Sequence, residues 1–127
     1  MLEPRKLQRV AVIGASPNRE RYSNKAVRRL VEAGHQVIPV NPGHKEIEGL
    51  TTVRSLEEVP PGSVDTITMY VGKERSSAMG QTIASIKPER IIFNPGAENE
   101  FLAAELKTSG IEVVEGCTLV MLSLGEF

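Results

Sequence analysis

A chain of 127 residues, 40% hydrophobic and 24% charged, has the size and composition of one globular domain, expected to span residues 1–127. Its formal net charge of -1 gives no long-range pull toward nucleic acid or an anionic membrane, and its single cysteine excludes an internal disulfide framework and a multi-cysteine zinc site. The polar start MLEPRKLQ lacks the apolar core of a secretory signal, and no apolar run approaches the roughly 20 residues that cross a bilayer, so a cytoplasmic protein is expected.

RVAVIG (9–14) is a continuous apolar run closed by a glycine, the pattern of a strand buried on both faces. In SNKAVRRLVEAG (23–34) the apolar positions Ala26, Val27, Leu30, Val31 and Ala33 fall on one side of a helix. Ser23 or Asn24 is placed to cap its first turn, and Gly34 to supply the left-handed residue after its last. QVIPV (36–40) is a second strand, closed by Asn41-Pro42-Gly43. The stretch 45–63 is irregular apart from Ser55-Leu56-Glu57-Glu58, whose Ser-x-x-Glu form predicts one capped helical turn. VDTITMYV (64–71) is a third strand, and ERSSAMGQTIASIK (74–87) a helix stopped by Pro88. RIIF (90–93) is a fourth strand, ENEFLAAELKTSG (98–110) a helix and IEVV (111–114) a fifth strand. The tail GCTLVMLSLGEF is apolar enough to pack back on the sheet.

Strands alternating with helices make an α/β fold, a parallel sheet covered on both faces. Right-handed crossovers restrict it to a doubly wound, Rossmann-like domain of about five strands, with expected order 3-2-1-4-5. Ligands of such sheets sit beyond the carboxyl ends of the strands, where the strand order reverses. That rule selects residues 14–24, 40–45, 69–73, 94–98 and 115–118.

The first of these segments, GASPNRERYSN (14–24), is built to hold an anion. Gly14 lets the chain turn sharply, and the helix that follows presents unpaired N–H groups and the positive end of its dipole. Ser16, Ser23 and Asn24 add hydroxyl and amide donors, while Arg19 and Arg21 add fixed charge able to grip phosphate through two donors at once. The glycine pattern G-x-G-x-x-G is incomplete, because Ser16 and Arg19 stand at its second and third glycines. Strand two also lacks the terminal Asp or Glu that binds the ribose hydroxyls of NAD: the sequence there is Val40-Asn41-Pro42, with His44 and Lys45 beyond. A missing carboxylate and nearby positive charge suit a phosphorylated ribose. The expected ligand is an adenosine diphosphate unit with an extra ribose phosphate, which coenzyme A carries at the 3′ position and NADP at the 2′ position. The spacing leaves both open.

VAVIGAS, the arginine-bearing loop to YSN, VIPVNP and the late Gly116-Cys117 together resemble the small, stand-alone CoA-binding domain family, itself similar to the CoA-binding module of the succinyl-CoA synthetase alpha subunit. The likeness runs over about residues 8–122. It implies coenzyme A as the ligand, with Gly14, Ala15, Ser16, Arg19, Arg21, Ser23 and Asn24 along the diphosphate. It further implies that Val40, Asn41 and Pro42 border the adenosine, that Lys45 meets the 3′-phosphate, and that Met69, Tyr70 and Val71 close over the adenine or pantetheine side. The loops MYVGKERS and FNPGAEN depart from the commoner versions in the family.

Catalysis needs a positioned base or nucleophile with a partner, and candidates are few. His35 follows the helix stop and is expected to face solvent; His44 lies in a Pro-Gly turn and reads as solvated ahead of a phosphate contact. No spacing of His, Asp or Glu resembles a metal site. Cys117 reads first as a small packed residue. The sharper reading places it past strand five at the ligand edge, where a coenzyme A thiol could form a mixed disulfide with it. In Asn94-Pro95-Gly96, Asn94 starts a turn, Gly96 takes positive φ, and Glu98 or Asn99 serves the next helix start; its free N–H groups can equally face the pantetheine or an acyl group. The expected function is therefore a coenzyme A or acyl-CoA binding protein without catalytic machinery, serving as sensor, carrier or partner subunit. The alternatives are an NADP-linked or acyl-CoA-handling enzyme component completed by another chain, and a degenerate Rossmann domain that binds a partner protein.

Overall fold

A computed structural model describes residues 7–127; the start of the polar segment MLEPRKLQ, residues 1–6, lies outside the described residues. In chain order the elements are β1 (Arg9–Ile13), α1 (Tyr22–Glu32), β2 (Gln36–Val40), the two-residue strands β3 (Glu46–Ile47) and β4 (Leu50–Thr51), and a 3₁₀ turn (Leu56–Glu58). Then come β5 (Thr66–Met69), α2 (Lys73–Ser76), a second 3₁₀ turn (Ser77–Met79), α3 (Gly80–Ile86), β6 (Arg90–Phe93), α4 (Glu100–Thr108), β7 (Glu112–Glu115) and α5 (Thr118–Ser123). The predicted strands are all present and pair in parallel, giving the doubly wound α/β architecture.

The strand order is β2-β1-β5-β6-β7, which corrects the expected one: the third predicted strand lies beside the first, not outside the second. The outer edge of β2 is already occupied. Val53 N donates to Pro39 O at 3.0 Å and Asn41 N to Val53 O at 2.9 Å, so the chain returning from the β3–β4 hairpin covers that edge. The connection then runs over one face of the sheet with Leu56, Val59 and Val64 buried, and delivers β5 against the free side of β1.

Alternation along the strands divides the core in two. Ala11, Ile13, Ile67, Met69, Ile91 and Phe93 face α3 and α4, meeting Ile83, Ile86, Leu102 and Leu106. Val10, Val12, Val37 and Ile92 face α1 and α5, meeting Val27, Leu30, Met121 and Leu122. Each fully buried aliphatic side chain contributes about 1.5–3 kcal/mol relative to an exposed one. The helix predicted over 74–87 is broken into α2, the second 3₁₀ turn and α3; Gly80 sits at the break, where a Cβ would stand 2.8 Å from Glu105 Cδ of α4. The turn at 55–58 forms as a 3₁₀ turn, but Ser55 does not cap it with its side chain; Glu58 instead accepts from Arg54 N at 2.9 Å.

His35 does not face solvent as expected. It is half-buried at the amino edge of the sheet, its Nδ1 accepting from Gln8 N at 3.0 Å and its ring set edge-on to Phe127 at 5.1 Å. Burial, with a smaller push from the Arg90 charge, lowers its pKa. No helix among the described residues is long and apolar enough to cross a membrane.

Candidate functional site at the carboxyl edge of the sheet

The strand order reverses between β1 and β5, and there the two strand ends touch. Gly14 closes β1 with φ +85°, and a Cβ on it would stand 2.9 Å from Val71 Cγ1 and 3.3 Å from the Tyr70 carbonyl carbon. Only a residue without a side chain permits that approach and that backbone together. Gly14 N donates to Val40 O at 3.3 Å, which ties the end of β2 to the same point.

The loop from 15 to 21 is braced from beneath by two asparagines. Asn41 Nδ2 donates to Ala15 O at 2.7 Å, and Asn24 Nδ2 donates to Ser16 O at 2.9 Å. Asn24 is wholly buried, and its Oδ1 accepts from Arg28 Nε at 2.8 Å. Both amides, implied above as ligand contacts, hold the loop's main chain. Ser16 Oγ accepts from Asn18 N at 3.1 Å, and Asn18 Oδ1 accepts from Glu20 N at 3.0 Å. Helix α1 starts at Tyr22, one residue before the expected Ser23, and its N-cap is Arg21, with no side-chain cap; Ser23 is buried. No side chain caps the first turn, and of its N–H groups Asn24 N donates to Arg21 O at 3.1 Å.

The charges divide unequally. Arg21 is exposed, and its guanidinium has no hydrogen bond or ion pair among the described residues. Arg19 Nη1 meets Glu48 Oε1 at 2.8 Å, with the Arg19 side chain 64% exposed. Glu48 also accepts from Asn24 Nδ2 at 3.1 Å. It sits on the β3–β4 turn with φ +51°, followed by Gly49 at +77°, and Ile47, 1% exposed, anchors the hairpin in the core. Glu48 escaped the sequence reading because 45–63 has no clear periodicity; only the Glu-Gly turn signal pointed to it.

Two cavities flank this loop. One, of about 330 Å³, lies past β1 and β2 with Gly14, Val40 and Pro42 in its wall. The other, of about 520 Å³, lies past β5 and β6 and is mostly apolar, lined by Tyr22, Tyr70, Asn94, Pro95, Cys117, Leu119 and Val120. Met69 does not reach either; it is fully buried in the core against α3 and α4. Val71 is buried against Gly14. Lys45 is exposed in a separate hollow of about 510 Å³ that also contains His44.

In the larger cavity Asn94 is a brace rather than a free donor. It is 2% exposed, donates to Thr68 Oγ1 at 2.7 Å and Met69 O at 2.9 Å, and accepts from Thr118 N at 2.9 Å. Gly96 has φ +90° as expected, and its N–H is taken by Glu98 Oε1 at 3.0 Å; Asn99 caps α4 by accepting from Leu102 N at 3.1 Å. The Tyr70 hydroxyl is buried without a hydrogen-bond partner among the described residues, and burial pushes its pKa up to about 12. The Thr118 and Thr68 hydroxyls beside it, paired with each other at 2.7 Å, offset only part of that shift. Cys117 is half-exposed at the start of α5, on the cavity wall.

This arrangement has relatives of known structure and sequence. A crystal structure of an uncharacterized protein has a TM-score of 0.91 with this chain at 41% identity, covering 97% of this chain and 100% of that one. The uncharacterized protein YneT of Bacillus subtilis (strain 168) is 28% identical over 107 residues, 84% of this chain and 78% of that protein. A dinucleotide-forming acetyl-coenzyme A synthetase 1 of Ca. Korarchaeum cryptofilum, in complex with phosphate and ADP, shares the fold with a TM-score of 0.72 at 22% identity, over 85% of this chain and 25% of that one. The family described as CoA binding domain matches residues 8–123, and on that match the chain belongs to it.

Proposed function

We propose that this chain binds coenzyme A at the carboxyl edge of its sheet, as a binding protein that adds no chemistry of its own. The observation that carries this reading is the pair of unlike cavities at the two ends of the first loop, one lined by Gly14 and the other by Tyr22. Coenzyme A has a flat base at one end, a charged diphosphate in the middle and a long, uncharged pantetheine arm at the other, whose methyl and methylene groups alternate with a hydroxyl and two amides. The cavity of about 330 Å³ beside Val40 and Pro42 suits the adenosine, and the apolar one of about 520 Å³ beside Tyr22 and Tyr70 suits the arm. Between them the diphosphate meets the first turn of α1, which no side chain caps, and Arg21. Ala15, Ser16, Arg19 and Ser23 shape that crossing, while Asn24 and Asn41 hold it rigid. Each charge-assisted hydrogen bond to phosphate is worth about 1.5–3 kcal/mol, against about 0.3–1 kcal/mol for the helix dipole, so side-chain and main-chain donors set the affinity. The thiol end reaches toward Pro95, Gly96 and Cys117.

Thermal denaturation with added ligand tests this. A ligand at 100 times its dissociation constant stabilises by about 2.7 kcal/mol, which raises the melting temperature by about 10 °C in a domain of this size. Coenzyme A should give that rise and NAD little. A response to NADP with none to coenzyme A would transfer the site to a nicotinamide cofactor, and silence toward all of them would defeat the reading.

A further inference from the structure

We infer that Arg54 and Arg75 read the extra ribose phosphate of the bound nucleotide and so determine its specificity, an inference that rests on the coenzyme A reading above. Both arginines line the cavity of about 330 Å³, one from the segment before the first 3₁₀ turn and one from α2. Its walls are otherwise largely apolar, with Ile13, Val40, Leu56 and Met79 able to pack on a flat base. The main chain at both arginines is fixed: Arg54 N donates to Glu58 Oε2 at 2.9 Å and Arg75 N to Gly72 O at 3.1 Å. Their guanidinium groups have no hydrogen bond or ion pair among the described residues. Glu57, the one carboxylate in this cavity, pairs with neither.

Two cations lining a largely apolar slot, with no ion pair among the described residues, are the complement of a base whose ribose carries a phosphate. A bare ribose would be met by a carboxylate at the end of β2, where this chain has Val40-Asn41-Pro42. Lys45, the residue the family resemblance implies for the phosphate, lies in the neighbouring hollow and does not line the slot. Arg54 borders both spaces, which places it where Lys45 was expected to act.

The test is calorimetric titration of coenzyme A, dephospho-CoA and adenosine 3′,5′-bisphosphate into the wild type, Arg54→Gln, Arg75→Gln and Lys45→Gln, with the melting temperature of each unliganded variant as a folding control. The wild type should prefer coenzyme A over dephospho-CoA by at least tenfold. Arg54→Gln should lose most of that preference and Arg75→Gln part of it, with dephospho-CoA affinity unchanged, while Lys45→Gln keeps the preference. Adenosine 3′,5′-bisphosphate should bind the wild type and lose about tenfold in Arg54→Gln. Equal wild-type affinity for coenzyme A and dephospho-CoA, arginine variants that keep the preference, or a preference lost only in Lys45→Gln would overturn the inference and leave the coenzyme A site standing. A wild type that binds neither coenzyme A nor dephospho-CoA would remove the site itself.

Discussion

Replacing Gly14 by alanine measures how much the meeting of β1 and β5 depends on a missing side chain. Two costs apply. A non-glycine residue in left-handed backbone costs about 1–2 kcal/mol, and Gly14 has φ +85°. The new Cβ would also lie 2.9 Å from Val71 Cγ1 and 3.3 Å from the Tyr70 carbonyl carbon. Val71 is β-branched and 4% exposed, so it has little room to turn away, and overpacking of this kind costs about 1–3 kcal/mol. Gly96→Ala separates the two costs, because Gly96 has φ +90° with nothing within 4 Å of its Cβ position. Urea denaturation should therefore show Gly96→Ala losing about 1–2 kcal/mol and Gly14→Ala about 2–5 kcal/mol. At roughly 4 °C per kcal/mol, Gly14→Ala should melt about 8–20 °C below the wild type. Equal losses for the two variants would refute the close approach as the reason for glycine at position 14.

Asn94→Ala should cost about 1–3 kcal/mol in chemical denaturation, because it strands the Thr118 N–H in a buried position, while the Met69 carbonyl still accepts from the main-chain N–H of residue 94; a loss under about 1 kcal/mol would mean the brace is not needed. Arg21→Ala and Arg19→Ala should each weaken coenzyme A by about tenfold or more by calorimetry. Both should leave unliganded stability within about 1 kcal/mol, since Arg21 is unpaired among the described residues and Arg19 forms only a surface pair with Glu48; normal binding by both variants would refute the phosphate assignment. His35 has its folded pKa below the ordinary 6.5, so the unfolded chain takes up a proton that the native chain resists. Its contribution is full above about pH 6.5 and declines as pH falls below that value until the folded pKa is passed. Urea midpoints between pH 8 and pH 5 should fall more steeply for the wild type than for His35→Gln, and parallel curves would contradict the cause given for the shift.

The strands were legible because they are short apolar runs bounded by Gly, Pro or Asn, and the site's position followed from them. Strand order was not, because it depends on where residues 41–65 run, and nothing in their composition says that Val53 returns to cover the edge of β2. The start of α1 was misplaced for a related reason. Ser23 and Asn24 look like caps in sequence, but Asn24 is drawn down to Ser16 O and Glu48, and the cap position falls to Arg21. Gly14, Val40 and Pro42 were read onto the edge where they stand, whereas Met69 points into the core, since alternation along β5 sends it to the face opposite Thr68. Arg54 and Glu48 come from the aperiodic stretch, where only tertiary structure reveals what faces the site.

That the carboxyl edge holds coenzyme A is tested most directly by isothermal titration of the purified chain with coenzyme A and, separately, with NAD. One coenzyme A per chain, bound at least tenfold more tightly than NAD, is the predicted result. Absence of saturable heat with coenzyme A, or equal affinity for the two ligands, would contradict it.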